Sequence, residues 1–320
     1  MLATAPNGSI PVLSLIGVES NRIRKQLPYK MPPGYKPWKD IASDLGMALA
    51  SLSMDSSLLT IGDYTNASLQ GLWVATRAPM YVIKRDLLRA FDLSDVAEDK
   101  GLLVDLNPPL PTFMLVLPQN TLVTPDGTTI NNLTVHLADK AYPQRSVAPG
   151  SDVSFVVNLP YPQNLLWVAL DSSGVIWHDV SGVAEDGTLK NDFSQTTGNL
   201  NLSKADHDFV KRVERIVCQV LLALTYRPDL LGAEALPKQA QAKGFGGAGK
   251  AETSTLYPRW LGSTFKLASD TPTQATPGKA KLHSSPVAHW RRGHWRRVPV
   301  GSREFNERKW VFIQPTFVNG

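Results

Sequence analysis

The sequence has almost no cysteine and no long apolar run. Cys218 is the single cysteine in 320 residues, which excludes an internal disulfide and gives no sign of an oxidising compartment. The longest apolar run, around Ile216 to Leu224, is far shorter than the roughly 20 residues that a membrane-spanning helix needs. The first residues contain prolines and no basic segment, which argues against a signal peptide. These absences predict a cytoplasmic protein without a membrane partner.

The sequence also lacks the short motifs of several enzyme classes. It has no Walker loop, no Gly-x-Ser-x-Gly, no His-Glu-x-x-His and no Cys-x-x-Cys. The glycine-rich segment 243–250 has neither the Walker spacing nor a predicted strand before it, so we do not assign it to phosphate binding. The sequence therefore predicts no cofactor and no metal.

Positive charge is concentrated near the C-terminus. The whole chain has a formal net charge of +5. Residues 281–310 contain eight Lys or Arg and two Glu, a net charge of +6, so the remaining residues sum to −1. A basic patch on a nearly neutral body indicates a binding site for a polyanion, and a solvated face or a flexible tail is the alternative.

Hydrophobic periodicity predicts three helices and several short strands. Apolar residues at helical spacing predict helices from Pro37 to Leu52, from Pro79 to about Phe91, and from a Ser203 cap to Leu224. Five β-branched or aromatic runs predict an antiparallel sheet: Phe113–Leu117, Leu133–Leu137, Val153–Leu159, Leu165–Leu170 and Val175–His178. The turn residues at 171–174 predict a hairpin between the last two runs. The predicted fold class is α+β, an antiparallel sheet with flanking helices and a basic C-terminal element.

Composition divides the chain into four regions. Residues 1–34 are rich in Pro, Gly and Asn and predict an extended N-terminal segment. Residues 35–232 predict the α+β body. Residues 233–286 predict a flexible linker region with a short ordered island at 256–262. Residues 287–320 carry the basic motif.

The most informative stretch is 289–297, which reads His-Trp-Arg-Arg-Gly-His-Trp-Arg-Arg. Arginine has a planar fork that matches phosphate oxygens, and tryptophan has a flat face on which an unpaired base can stack. Two histidines can supply a general base and a general acid near pH 7, so RNA could be cleaved through its own 2′-hydroxyl without a metal. Gly293 permits a tight turn between the two halves of the stretch.

These residue types predict an RNA site with two groups of residues. The candidate catalytic residues of a metal-independent ribonuclease are His289, His294 and Arg292. The candidate RNA-binding residues are Trp290, Arg291, Trp295, Arg296, Arg297, Arg303, Lys309 and Trp310. In this hypothesis the tryptophans of the motif either stack bases or anchor the turn.

Residue types alone leave other interpretations open. The patch could bind nucleic acid without cleaving it. Its His and Trp side chains could instead pack against the strand at Trp310, while the arginines meet an acidic partner. A zinc site built from three histidines is a further alternative, formed by His283, His289 and His294. Whether the protein is an enzyme therefore stays open at this point.

The motif and the end of the chain resemble a known family, the phage- and plasmid-borne family of the type V-A anti-CRISPR that suppresses biogenesis of the CRISPR effector nuclease. Its members end in a pattern like Pro-His-x-Arg-Arg-Gly-His-Trp, a short glycine-containing segment, a tryptophan strand and Pro-x-x-Val-Asn. The matching residues here are His289, Arg291, Arg292, Gly293, His294, Trp295, Gly301, Trp310, Pro315, Val318 and Asn319. Ala288 stands where the pattern has proline, and the match loosens towards residue 203.

The resemblance implies a translation-coupled regulator that recognises a nascent polypeptide and degrades or silences its messenger RNA. The implied partners are RNA, either messenger or ribosome-associated, the nascent polypeptide of a target protein, and the ribosome. The C-terminal motif would act on the RNA or face the ribosome, and an edge or groove of the sheet between Leu110 and Val180 would hold an extended peptide. The alternative is a non-enzymatic protein that binds nucleic acid or the ribosome.

Overall fold

The computed structural model describes most of the chain. The described residues are 29–51, 60–76, 78–95, 102–104, 106–139, 145–147, 154–156, 161–191, 203–236, 258–267, 289–300 and 307–318. Most of the predicted N-terminal segment and most of the predicted linker region lie outside these residues, as do His283 and Arg303.

Four α-helices lie in the described residues, and two of them confirm the prediction closely. In chain order, α1 to α4 are Trp38–Ser51, Ile61–Ala75, Arg85–Asp92 and Lys204–Tyr226. The apolar stripe of α1 is buried, as its helical spacing requires. Helix α4 begins at the predicted Ser203 cap, which forms a capping box: the Ser203 hydroxyl accepts the Asp206 N–H and the Asp206 carboxylate accepts the Ser203 N–H. None of the helices in the described residues combines the length and the hydropathy that a bilayer crossing needs.

The predicted helix from Pro79 to Phe91 is wrong in its first half. Met80–Ile83 is a strand, and only Arg85–Asp92 is helical. All four strand residues are buried, and their aromatic and β-branched side chains suit a strand covered on both faces. Helix α2 was not predicted, although Thr60 and Asp63 form a capping box at its start.

Nine of the fifteen described strands form one sheet. In chain order, β1 to β15 are Met80–Ile83, Thr112–Val116, Leu122–Val123, Thr129–Asp139, Arg145–Val147, Ser154–Val156, Gln163–Asp171, Ile176–Val183, Leu189–Asn191, Leu231–Ala235, Arg259–Leu261, His289–Arg291, His294–Val300, Glu307–Ile313 and Thr316–Val318. The sheet order is β10-β11-β1-β2-β4-β7-β8-β9, and β3 also pairs with β4. Strand β1 runs parallel to β2 and β11, and the other pairs in this sheet are antiparallel. The α+β class is therefore confirmed, with a mixed sheet in place of a purely antiparallel one.

Helices cover both faces of the sheet. Along β2, Phe113 and Leu115 pack in the cluster that contains the apolar residues of α3 and α4. Met114 and Val116 point the other way and pack with the apolar residues of α1. The first of these two layers also receives the C-terminal strands, because Trp295 belongs to the same cluster as Phe113.

The predicted hairpin at 171–174 is confirmed and joins β7 to β8. One oxygen of Asp171 accepts the backbone N–H groups of Ser173 and Val175, at 2.9 Å and 3.0 Å. The other accepts the indole N–H of Trp177 at 3.0 Å. Partial burial would raise the pKa of the Asp171 carboxyl, but these hydrogen bonds lower it, so the carboxylate holds the turn in its charged form.

Candidate nucleic-acid interface

The C-terminal strands form one hairpin that is interrupted in the middle. Strand β12 pairs with β15 and β13 pairs with β14, both antiparallel. On one side of the interruption Arg291 is opposite Thr316, and on the other side His294 is opposite Ile313. These two pairs are separated by two residues on each strand, 292–293 and 314–315, so the pairing register is the same on both sides of the interruption. We call residues 289–300 and 307–318 together the basic hairpin.

At the interruption, the hairpin bonds to the end of helix α3. The Gly293 N–H donates to the Leu93 carbonyl at 3.2 Å, and the Asp95 N–H donates to the Gly293 carbonyl at 3.1 Å. Pro315, on the other strand, has no N–H with which to continue the ladder. A Cβ atom at Gly293 would lie 2.2 Å from the Ser94 hydroxyl and 2.7 Å from the Pro315 ring. Gly293 therefore allows three segments to approach closely, which is a different role from the tight turn expected.

Trp295 fixes the hairpin to helix α4. Its side chain is only 2% exposed, and its indole N–H donates to the Gln219 side-chain oxygen at 2.7 Å. The Gln219 amide in turn donates to the Asp95 carbonyl at 3.2 Å. The Trp295 ring packs on Phe312, with ring centroids 5.3 Å apart, and on Tyr226. One indole thus connects β13, β14, α4 and the segment after α3.

The two faces of β13 and β14 differ in exposure. Residues opposite each other in an antiparallel pair point to the same face. Trp295 and Phe312 form one such pair and are buried, so this face packs on the body. The other face consists of the pairs His294–Ile313, Arg296–Val311, Val298–Lys309 and Val300–Glu307, and we call it the outer face.

The cations and the tryptophans of the basic hairpin differ in exposure. Six cationic side chains are exposed: the predicted RNA-binding residues Arg291, Arg296, Arg297 and Lys309, the predicted catalytic residue Arg292, and Arg308, which was not predicted. The rings of Trp295 and Trp310 are buried, with 2% and 8% exposure, and leave no open face for a base. For Trp295 this geometry supports the anchoring role over stacking.

Trp290, Arg292 and Arg297 each have a contact with the protein itself. Trp290 is half-buried, packs edge-on against Phe317 at 5.4 Å between centroids, and lies under the Arg89 guanidinium. Arg292 pairs with Asp95 at 2.7 Å, but its side chain stays 73% exposed, and such surface pairs contribute at most about 1 kcal/mol. The Arg297 guanidinium lies over the Trp310 ring at 5.8 Å. The two arginines therefore keep exposed donors despite these contacts.

The candidate catalytic histidines lie on opposite sides of the interruption. His289 is in β12, opposite Val318, and its side chain lies outside the described residues. His294 begins β13 and is exposed. An acid and a base that share one phosphodiester must both reach it by a hydrogen bond, so the two histidines can act as a pair only where their imidazoles meet across the interruption.

Sequence reasoning missed Arg308 of the basic hairpin and three residues of the body that contact it, Arg89, Asp95 and Gln219. Gln219 carries a usable signal, because it is a polar side chain within the apolar stretch of α4 and is fully buried there. Arg89 and Asp95 contact the hairpin across a long stretch of chain, so no local pattern predicts them.

Cys218 does not contribute chemistry to this region. The side chain is buried in α4, and burial, together with the nearby Glu214 carboxylate, raises the pKa of the thiol well above its usual value. The thiol is therefore structural.

Fold and site together define a class of protein, an α+β body with a basic β-hairpin docked on its surface. The sequence profile of the anti-CRISPR type V subtype A2 family, AcrVA2-like, matches residues 81–320, and the chain belongs to this family. The resemblance seen in the C-terminal motif is thereby confirmed. A crystal structure of AcrVA2 matches with a TM-score of 0.39 and 11% sequence identity, over 96% of this chain and 95% of that chain. No curated protein sequence matches.

Proposed function

We propose that the protein is a translation-coupled regulator that recognises a nascent polypeptide and degrades or silences its messenger RNA, and that the basic hairpin holds the RNA. The observation that carries this proposal is the docked hairpin with six exposed Lys and Arg side chains. Membership of an anti-CRISPR family supports a role against the production of a CRISPR effector.

The electrostatics of the hairpin suit a polyanion better than a single anion. Its described residues contain six Lys or Arg and one Glu, a formal net charge of +5. The cations are spread along both strands instead of converging on one point. Binding to a phosphodiester chain would release condensed counterions, so the affinity should fall steeply with salt concentration.

Strand β8 supports the recognition of a peptide. Among the described residues, β7 pairs with the whole of β8, and β9 pairs with its last three residues, Ser181–Val183. The edge of a sheet offers backbone donors and acceptors to an extended peptide. This edge lies within the part of the sheet that the sequence suggested for the target.

Crosslinking in cells tests the RNA-binding part of the proposal. We expect ultraviolet crosslinking to recover messenger or ribosomal RNA with the parent protein. The double variant Arg296→Gln, Lys309→Gln should recover much less, because two exposed cations of the hairpin are lost. The control is Lys39→Gln, Lys211→Gln, which removes the same charge from exposed positions on α1 and α4. Equal recovery from all three proteins would contradict the proposal.

Intrinsic ribonuclease activity is a second candidate function, because His294 is exposed beside Arg296. General acid–base catalysis typically contributes roughly 10²- to 10⁴-fold to a rate. We expect His294→Ala to change the decay of the crosslinked transcript far less than that, since His289 lies beyond the interruption. The measurement is transcript half-life during translation of the target. A slowing within the catalytic range would instead establish His294 as a catalytic residue.

A further inference from the structure

We propose that the outer face of the basic hairpin is a track for single-stranded RNA, with Arg296 and Lys309 on the phosphates and His294 beneath a base. The inference rests on the proposed function and adds the form of the RNA and the face that binds it. It follows from the way in which β13 and β14 are docked.

Because one face of β13 and β14 packs on the body, their outer face is left open to solvent. The opposite face carries Trp295, Trp310 and Phe312, all buried against the body. On the outer face, His294, Arg296 and Lys309 are exposed. A strand of RNA that follows the hairpin therefore meets the exposed His294, Arg296 and Lys309 of the outer face.

The polar groups of the outer face follow one another at a regular interval. His294 and Arg296 are two residues apart on β13, which corresponds to roughly 6.6 Å. Lys309 is opposite Val298, so it is a diagonal neighbour of Arg296, at about 7 to 8 Å. These intervals are comparable with the distance between successive phosphates of an extended nucleic-acid strand. Neighbouring groups could therefore contact neighbouring nucleotides.

Apolar surface lies between the cations. Ile313 is 37% exposed opposite His294, and Val298 and Val311 are half-buried. Imidazole rings and guanidinium planes can stack on unpaired bases, and aliphatic side chains can contact their faces. A duplex hides these base faces, and the major groove of A-form RNA is too deep and narrow for side chains to read. The composition of the outer face therefore favours an unpaired strand.

The chain provides a matched pair of variants for the test. Arg296 and Arg297 are adjacent, carry the same charge and are both exposed. Arg296 belongs to the outer face, whereas Arg297 points to the other face and lies over Trp310. Arg296→Gln should weaken the binding of single-stranded RNA about tenfold, as expected for a lost charge-assisted hydrogen bond. It should also reduce the slope of log affinity against log salt by about 0.7.

The measurement is fluorescence anisotropy with a short labelled RNA that lacks self-complementarity, free and annealed to its complement, at several salt concentrations. We expect the single strand to bind more tightly than the duplex, and Arg297→Gln to lose much less affinity than Arg296→Gln. Lys309→Gln should behave like Arg296→Gln. Thermal melts of each variant check that the hairpin stays docked.

The outcomes separate this inference from the proposed function. Equal losses in Arg296→Gln and Arg297→Gln would overturn the outer-face track, while RNA binding itself would stand. Duplex binding as tight as single-strand binding would overturn the assignment of an unpaired strand. If the parent protein bound neither RNA, the RNA-binding part of the proposed function would fail together with the track.

Discussion

Gly293→Ala is expected to release the basic hairpin from the body and to lower the free energy of unfolding by about 2 to 5 kcal/mol. The new Cβ would lie 2.2 Å from the Ser94 hydroxyl, 2.7 Å from the Pro315 ring and 3.0 Å from the Ile313 carbonyl. The Ser94 hydroxyl already donates to the Ala90 carbonyl, and a proline ring and a backbone carbonyl have little freedom to move. Relief of the clash therefore requires the hairpin to move, which breaks the two backbone hydrogen bonds of Gly293.

Chemical denaturation measures this effect, and Gly62→Ala is the matched control. A Cβ at Gly62, within helix α2, would make only ordinary contacts, the nearest at 3.5 Å. Alanine favours a helix over glycine by up to about 1 kcal/mol, so the control should be as stable as the parent or more so. Hydrogen exchange at residues 293–295 should rise only in Gly293→Ala. If the two variants unfold alike, the close approach at Gly293 does not hold the hairpin.

Elements that are specified by hydrogen bonds between neighbouring residues could be predicted from the sequence. Elements whose conformation depends on partners distant in sequence could not. The Ser203 capping box and the turn at 171–174 are short patterns whose hydrogen bonds lie within a few residues, and both were found in place. The run Met80–Ile83 is apolar without a break, and such a run fits a buried strand as well as part of a helix. Its partners, β2 and β11, are distant in sequence, and they decide the conformation.

The same distinction applies to the candidate site. The tetrapeptide His-Trp-Arg-Arg occurs twice, at 289–292 and at 294–297. Trp290 is half-buried beside Phe317 and Arg89, whereas Trp295 is in the core and bonds to Gln219. Identical local sequences thus have different environments, because helix α4 presents a buried amide to only one of them. The basic surface could be predicted from charge alone, but the role of each tryptophan could not.

Because Trp295 is in the core and Trp290 is only half-buried, substitution of Trp295 should have a large effect on stability. Trp295→Ala should lower the free energy of unfolding by about 3 to 5 kcal/mol, since it empties a core position between Phe312 and Tyr226. Trp295→Phe keeps most of the ring packing but leaves the Gln219 oxygen without its donor, so a loss of about 1 to 3 kcal/mol is expected. The repeated tetrapeptide supplies the control, Trp290→Ala, which should cost less because that ring is only half-buried.

Stability and RNA affinity together distinguish anchoring from stacking at Trp295. An anchoring residue loses stability on substitution, and any loss of RNA affinity follows from the displaced hairpin. A stacking residue would show the reverse, unchanged denaturation with affinity lower by roughly 1 to 3 kcal/mol for each base it contacts. Trp295→Phe is the decisive variant, because phenylalanine can still stack on a base but cannot donate to Gln219. If its unfolding curve matches that of the parent, the hydrogen bond between β13 and α4 does not hold the hairpin on the body.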